Sequence, residues 1–204
     1  MHIPENIIFD LGGVLLNIDY KKTEKAFEDL GFSEFTKMYN QFAANTLFEN
    51  LETGKLTPGE FYEELLRVSG RPVSRQQVWD AWNAMLLDFR ETSLALLEKL
   101  AENHRLYLLS NTNAIHHEAF IKIYETVQPG RNFDEYFTKA YYSHNVGLRK
   151  PGREIFDFVL QDAGLDPART LFIDDSFNNI DGAKKAGLLT KLLSPGESIE
   201  ETLA

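Results

Sequence analysis

The sequence predicts an α/β protein, a Rossmann-like doubly wound parallel sheet with an α-helical cap inserted after its first strand. Three observations carry this. Beyond about residue 92, short apolar runs alternate with helical patterns, the signature of a parallel sheet covered by helices on both faces. From 19 to 90 the apolar residues instead recur at helical spacing. A single apolar run, Ile7-Ile8-Phe9, precedes that stretch, which splits the core into 1–18 and 91–204 around a helical unit at 19–90. With 204 residues, 43% hydrophobic, the chain can bury a full core.

The elements follow in order. Ile7 to Phe9 is a strand that delivers Asp10 into the turn Leu11-Gly12-Gly13-Val14. Asp19 can cap a helix carrying Thr23, Phe27 and Leu30, ended by Gly31. Ser33 can cap a second, with Phe35, Met38, Tyr39 and Phe42 on one face. Thr57-Pro58-Gly59-Glu60 is a capping box with Pro at the first helical position, and Leu56 facing Phe61 supplies a staple. Ser74 and Gln77 repeat the box. Trp79 and Trp82, three apart, read as core of this unit rather than a sugar-stacking platform.

In the second half Leu94, Leu97 and Leu100 mark a helix, and Arg105 to Leu109 a strand ending at Ser110. A helix with Ala119, Phe120 and Ile123 comes next; its His116-His117 pair points two ways and reads as surface or partly packed, not as a metal site. Ala140 to Tyr142 is a short strand before a loop over 144–149, and Pro151 opens a helix. Thr170 to Ile173 is a strand ending in Asp174-Asp175, followed by a helix from Ile180 to Ala186 and a last strand from Leu188 to Leu193. Glu197 to Glu201 is a solvated acidic tail.

Composition excludes several classes. A formal net charge of −10 with no basic cluster argues against a nucleic-acid surface. Neither a bilayer-spanning apolar stretch nor an N-terminal basic-then-apolar leader is present, so the expected compartment is cytoplasmic with no membrane partner. With no Cys there is no disulfide, thiolate catalysis or Cys-ligated zinc.

Parallel sheets bind ligands at the carboxyl ends of their strands. There the sequence places Asp10, then Ser110-Asn111-Thr112, then Lys150, then Asp174-Asp175. Three carboxylates, an amine, and hydroxyl and amide donors suit a divalent cation and a phosphate. Adjacent carboxylates at a buried strand end are costly without a cation, which favours metal binding over a plain helix cap for Asp174-Asp175.

Four segments, Phe9-Asp10-Leu11-Gly12-Gly13-Val14, Leu109-Ser110-Asn111-Thr112-Asn113, Arg149-Lys150-Pro151 and Phe172-Ile173-Asp174-Asp175 with Asn179, occur in the order and spacing of the haloacid dehalogenase (HAD) superfamily, which the whole chain resembles. Most of its members are magnesium-dependent phosphatases with an aspartyl-phosphate intermediate, and the insertion at 19–90 resembles their helical cap. The resemblance implies Asp10 as nucleophile and metal ligand, with the Gly12 carbonyl and Asp175 as further ligands of Mg2+ or Mn2+. It implies Lys150 for charge stabilisation and phosphate contact, Ser110, Asn111 and Gly13 as phosphate donors, and Asp174 and Asn179 as groups that orient the ligands. The implied partner is a small phosphorylated metabolite, a sugar phosphate such as glucose 1-phosphate.

One departure bears on the substrate. Most phosphatases of the superfamily carry Asp where this chain has Gly12, to protonate the leaving oxygen and activate water. Losing that assistance costs about 100- to 10,000-fold unless the leaving group is good or another group substitutes. The chain is similar to bacterial phosphatases acting on glucose 1-phosphate, which also have Gly there and whose anomeric oxygen leaves readily. Asp19 and His144 are candidate substitutes. Two alternatives stand beside the phosphatase: a carbon–halogen hydrolase of the same superfamily, which needs no metal, and a phospho-ligand-binding regulatory protein with weakened turnover.

Overall fold

The computed structural model describes residues 4–32, 35–40, 43–69 and 72–203. Its strands are β1 (Asn6–Phe9), β2 (Leu16–Ile18), β3 (Tyr39–Asn40), β4 (Ala43–Ala44), β5 (Leu86–Phe89), β6 (Arg105–Ser110), β7 (Lys139–Tyr142), β8 (Thr170–Asp174) and β9 (Leu189–Leu192). The helices between β2 and β5 are α1 (Tyr20–Asp29), α2 (Phe35–Met38), α3 (Thr46–Glu52), α4 (Pro58–Ser69) and α5 (Arg75–Asn83). Those after β5 are α6 (Glu91–Ala101), α7 (Ala114–Val127), α8 (Ser143–Val146), α9 (Arg153–Asp162), α10 (Phe177–Lys185) and α11 (Ile199–Leu203).

The main sheet has five parallel strands in the order β7-β6-β1-β8-β9. Strand β1 lies at its centre and is buried along its whole length, as its unbroken apolar run requires. From β1 the chain builds outward through β6 and β7, then returns to the other side of β1 for β8 and β9. The reversal leaves a crevice beyond the carboxyl ends of β1 and β8, where such sheets bind ligands.

Strand alternation fills both faces. Ile7, Phe9, Leu106, Leu108, Leu171 and Ile173 pack with Leu94, Leu97 and Leu100 of α6 and with Phe120 and Tyr124 of α7. Ile8, Tyr107, Leu109, Tyr141 and Phe172 pack with Ile155, Phe156 and Val159 of α9 and with Ile180 and Ala183 of α10. Successive side chains point to opposite faces, so one run of sequence serves both layers.

The helices between β2 and β5 gather a cluster of their own around fully buried Trp82, including Phe27, Phe35, Phe48, Phe61 and Val78, and Ile115 of α7 joins it from the core. Each fully buried Phe there stabilises by roughly 1.5–3 kcal/mol relative to exposure. The capping devices form as read: Asp19 accepts from the Lys21 amide, Thr57 and Glu60 bond reciprocally, and so do Ser74 and Gln77. Among the described residues no helix is long and apolar enough to cross a membrane.

Several local readings differ from the structure. The stretch 197–201 is not a solvated tail but runs into α11, where Ile199 is buried in the core and Glu200 accepts from Ser93 Oγ at 2.9 Å. Residues 86–89 are not helical but form β5, which pairs antiparallel with β2 and joins the insertion to the core. Its leucines are only half-buried, so two short strands blended into the neighbouring helical period. The second helix is a single turn that ends before Tyr39, which enters β3; Ser33 and Phe42 lie outside the described residues. Residues 143–146 form the turn of helix α8 within what reads as a loop, and Pro151, in cis after Lys150, precedes α9, which starts at Arg153 behind the cap Gly152. His116 is buried, stacked on Trp82 with Nε2 3.0 Å from the Trp82 carbonyl oxygen, while His117 beside it is half-buried.

Candidate active site

Parallel pairing of β1 with β8 sets the register of the site. Phe9 lies beside Ile173, and the Asp10 amide donates to the Ile173 carbonyl at 2.9 Å, so Asp10 emerges next to Asp174 and Asp175. Lys150 enters between them from the loop after α8. Its Nζ lies 2.7 Å from Asp10 Oδ1 and 2.7 Å from Asp174 Oδ2. Lys150, Asp10 and Asp174 are 1%, 8% and 0% exposed, so this is a buried cation held by two anions. Such a triad is stable only when each member is fully engaged.

The three carboxylates differ in what remains free. Asp174 accepts from the Ser176 amide at 2.7 Å, from Asn179 Nδ2 at 3.0 and 3.1 Å, and from Lys150. Both its oxygens are committed, and it serves to hold Lys150 and Asn179 in place. Asp10 has a second oxygen not used by Lys150, and Asp175 is half-buried beside it. Carboxylate oxygens of all three residues lie within 4.8 Å of one another.

Burial pushes the Asp10 carboxyl up to about 7; Lys150 opposes this, while Asp174 and Asp175 add to it. Burial and then Asp174 likewise raise Asp175 to about 6. Burial works against the Lys150 charge, but Asp10 and Asp174 outweigh it and hold the ammonium above its usual range. Three carboxylates around one ammonium leave negative charge uncompensated in a buried crevice. An all-oxygen donor set of this charge fits a hard divalent cation such as Mg2+ or Mn2+.

The glycine turn packs against the same carboxylates. Gly13 has φ +74, and a Cβ there would sit 2.3 Å from Asp175 Oδ2, so only glycine lets the turn approach. Its amide donates to the Leu16 carbonyl at 2.8 Å. The structure thus shows Gly13 serving this close approach, with its amide engaged by Leu16. Gly12 has an ordinary backbone, and a Cβ there would meet Ile18 Cδ1 at 2.5 Å, the mobile end of a side chain.

Ser110, buried at the end of β6, lines the crevice with Asn111. The Asn111 side chain bonds to the Lys150 backbone twice, accepting from its amide at 2.9 Å and donating to its carbonyl at 2.8 Å. It thus fixes the loop that carries Lys150.

These residues share a cavity with Ile18 of β2, Tyr20 of α1, Tyr39 of β3, Glu52 of α3 and Met85, which precedes β5. Arg149 and His116 complete it from the core. Glu52 is 3% exposed; Arg149 Nη2 lies 2.8 Å from its Oε2, and the Tyr39 hydroxyl donates to its Oε1 at 3.3 Å. Burial raises the Glu52 carboxyl, and Arg149 and Tyr39 pull it back. Neither Asp19 nor His144 is among the described residues that line the cavity. Asp19 is spent on capping α1, and burial lowers His144 to about 4 beside His117.

Sequence reasoning missed Glu52, Arg149, Tyr20 and Tyr39 as site residues. A signal for Glu52 existed: with Phe48 and Leu51 it occupies the buried i, i+3, i+4 face of α3, an unusual place for an unneeded charge.

The family model for haloacid dehalogenase-like hydrolases matches residues 4–187. D-ribitol-5-phosphate phosphatase of Bacteroides thetaiotaomicron is 33% identical over 190 residues, 91% of this chain and 90% of its own length. The HAD family enzyme bt-2542 of the same organism, solved with magnesium and inorganic phosphate, matches with a TM-score of 0.88 at 37% identity, over 98% of this chain and 100% of that one. A HAD-like family hydrolase of Porphyromonas gingivalis matches with a TM-score of 0.89 at 32% identity, over 98% of this chain and 96% of that one. With a family model matched over most of its length and a relative at 33% identity, the chain belongs to the haloacid dehalogenase-like hydrolase family.

Proposed function

We propose that the protein is a magnesium-dependent phosphoric monoester hydrolase for a small sugar or sugar-alcohol phosphate, with residues 19–90 as the cap over its site. The observation that carries this is the cluster of Asp10, Asp174 and half-buried Asp175, with buried Lys150 paired to the first two. A metal-free carbon–halogen hydrolase has little use for so many carboxylates. The similarity to D-ribitol-5-phosphate phosphatase and to bt-2542 in complex with magnesium and phosphate supports the same reading.

Asp10 and Asp175, with the Gly12 carbonyl, are the groups to hold the cation, which when bound supplies charge neutralisation for the approach of Asp10 to an anionic phosphate. In the first step an Asp10 carboxylate oxygen attacks phosphorus, the bond to the substrate oxygen breaks, and the leaving oxygen keeps the electron pair. Lys150, the Ser110 hydroxyl and the amides of Leu11, Gly12 and Asn111 hold the phosphoryl oxygens as charge shifts. Water then attacks phosphorus of the acyl phosphate, releasing inorganic phosphate and regenerating Asp10.

The cation and protons compete for Asp10 and Asp175. Both carboxyls are raised from 3.8, to about 7 and about 6, so the metal-free protein gains stability from holding them neutral and loses it as pH rises through that range. Magnesium binds the ionised forms. At one fixed, non-saturating magnesium concentration the rise in melting temperature should therefore be small near about pH 5 and larger near about pH 8. A shift that is flat or shrinks with pH contradicts the assignment of these ligands.

Glucose 1-phosphate suits the missing acid at Gly12, because its anomeric oxygen departs readily; D-ribitol 5-phosphate, the substrate named for the relative, needs more help. Specificity constants for the two, with an activated aryl phosphate as reference, test the substrate directly. Release of phosphate from none of the three in the presence of magnesium overturns the phosphatase reading. Gly12→Asp measures the missing proton. Its backbone accepts a side chain once Ile18 moves, and turnover of D-ribitol 5-phosphate should rise by about tenfold or more while the aryl phosphate changes little. Equal change on both contradicts a limiting proton transfer.

A further inference from the structure

The cavity wall opposite the carboxylate cluster contains a second charged group that the hydrolytic chemistry does not use. Glu52 ends α3, is 3% exposed, and lines the same cavity as Asp10 and Ser110. Its Oε1 accepts one long bond from Tyr39. Its Oε2 faces Arg149 at ion-pair distance but receives no aligned hydrogen bond, and Arg149 Nε likewise has no acceptor. An ionised carboxylate offers about four acceptor positions, so Glu52 keeps open capacity inside a closed space. Its placement is rigid. Gly54 follows α3 with φ +66, and a Cβ there would lie 2.2 Å from the His144 carbonyl oxygen of α8, so the end of α3 rests directly on the core.

We propose that Glu52 is the residue that selects the substrate, accepting hydrogen bonds from hydroxyl groups on the carbon chain of a polyhydroxylated monophosphate while Arg149 holds it in place. This rests on the phosphatase reading of the same cavity and names the substrate class: neutral apart from one phosphate, with hydroxyl donors reaching the far wall. A hydroxyl supplies the proton that the unfilled acceptor lacks. A second phosphate or a carboxylate at that end is repelled by Glu52, and an alkyl chain leaves it unpaired, which a site built for hydrogen bonding discriminates against strongly.

Calorimetric binding to Asp10→Asn, which retains the cavity without turnover, tests this with magnesium present. D-ribitol 5-phosphate should bind about tenfold or more tighter than butyl phosphate, which presents the same phosphate with no hydroxyls. Adding Glu52→Gln should weaken D-ribitol 5-phosphate by about ten- to hundredfold and leave inorganic phosphate within about twofold. Equal affinity for the two esters overturns the proposal, as does equal weakening of D-ribitol 5-phosphate and inorganic phosphate or no effect of Glu52→Gln. The comparison of the two esters needs no change at Glu52 and can overturn the proposal even if that variant does not fold. A parent protein that binds these ligands as described yet releases no phosphate from an aryl phosphate with magnesium fails the phosphatase reading alone.

Discussion

Asp10→Asn is expected to abolish magnesium-dependent phosphate release, lowering kcat by about 1,000-fold or more, while leaving the fold intact and the metal-free protein more stable at alkaline pH. The loss follows from chemistry: an amide cannot attack phosphorus, and no other described carboxylate is free to replace it, because both oxygens of Asp174 are committed and Asp175 sits against Gly13. The gain follows from electrostatics. Burial holds Asp10 at about 7 against 3.8 for the free carboxyl, so keeping it ionised in the folded state costs energy above that pH. Asn removes the cost at about pH 8, and the difference disappears below about pH 4, where both side chains are neutral. Denaturant unfolding in chelator at both pH values, alongside aryl phosphate turnover, reads the two effects together. A variant that keeps activity, or loses it together with stability at every pH, contradicts the placement of Asp10 as a strained, reactive group.

Lys150→Met is expected to be damaging on both counts. The ammonium is 1% exposed and lies 2.7 Å from each of two buried carboxylates. Methionine keeps most of the length and removes the charge, leaving Asp10 and Asp174 to repel each other. Breaking a buried pair in this way destabilises by about 3–5 kcal/mol. Loss of the phosphate contact proposed for it should lower kcat by a further factor of about 100 to 1,000. With the cation gone, Asp10 loses the group that opposed its protonation, so residual activity should shift to higher pH. Unfolding in urea and a pH profile of kcat on an aryl phosphate measure these; wild-type stability with an unmoved profile contradicts the bridging role. Lys150 is held by Asn111 through its backbone, so Asn111→Ala should reproduce a weaker form of the same change.

The floor of the cavity was legible in the sequence and its roof was not. Apolar runs that end abruptly in Asp10, Ser110 and Asp174-Asp175 announce both the strands and the polar groups at their ends, because in a parallel sheet these are one feature. Register did the rest: the pairing of Phe9 with Ile173 requires no long-range guess once the strands are placed. The roof depends on short elements. Strands β2 and β5 are too brief and too exposed to impose a period of two, and α2 is one turn long. The period of α3 marks Glu52 as sharing the face of Phe48 and Leu51, but that this face meets the cavity is set by the contact of the helix end with α8 at Gly54, a tertiary fact. His116 shows the same limit, since adjacency on a helix says that two side chains diverge but not which one is buried against Trp82. Gly13 reads as a turn glycine in the sequence, but that Asp175 packs against it is set by the tertiary structure.

The most direct test of the central claim, that Asp10 carries the phosphoryl group, is to trap it. Protein turning over an aryl phosphate with magnesium is quenched in acid, treated with borohydride, which reduces an acyl phosphate to an alcohol, and examined by peptide mass spectrometry. Conversion of Asp10 to homoserine, dependent on both substrate and magnesium, is the predicted result. Phosphate release with Asp10 left unmodified, or with another residue reduced in its place, contradicts the account.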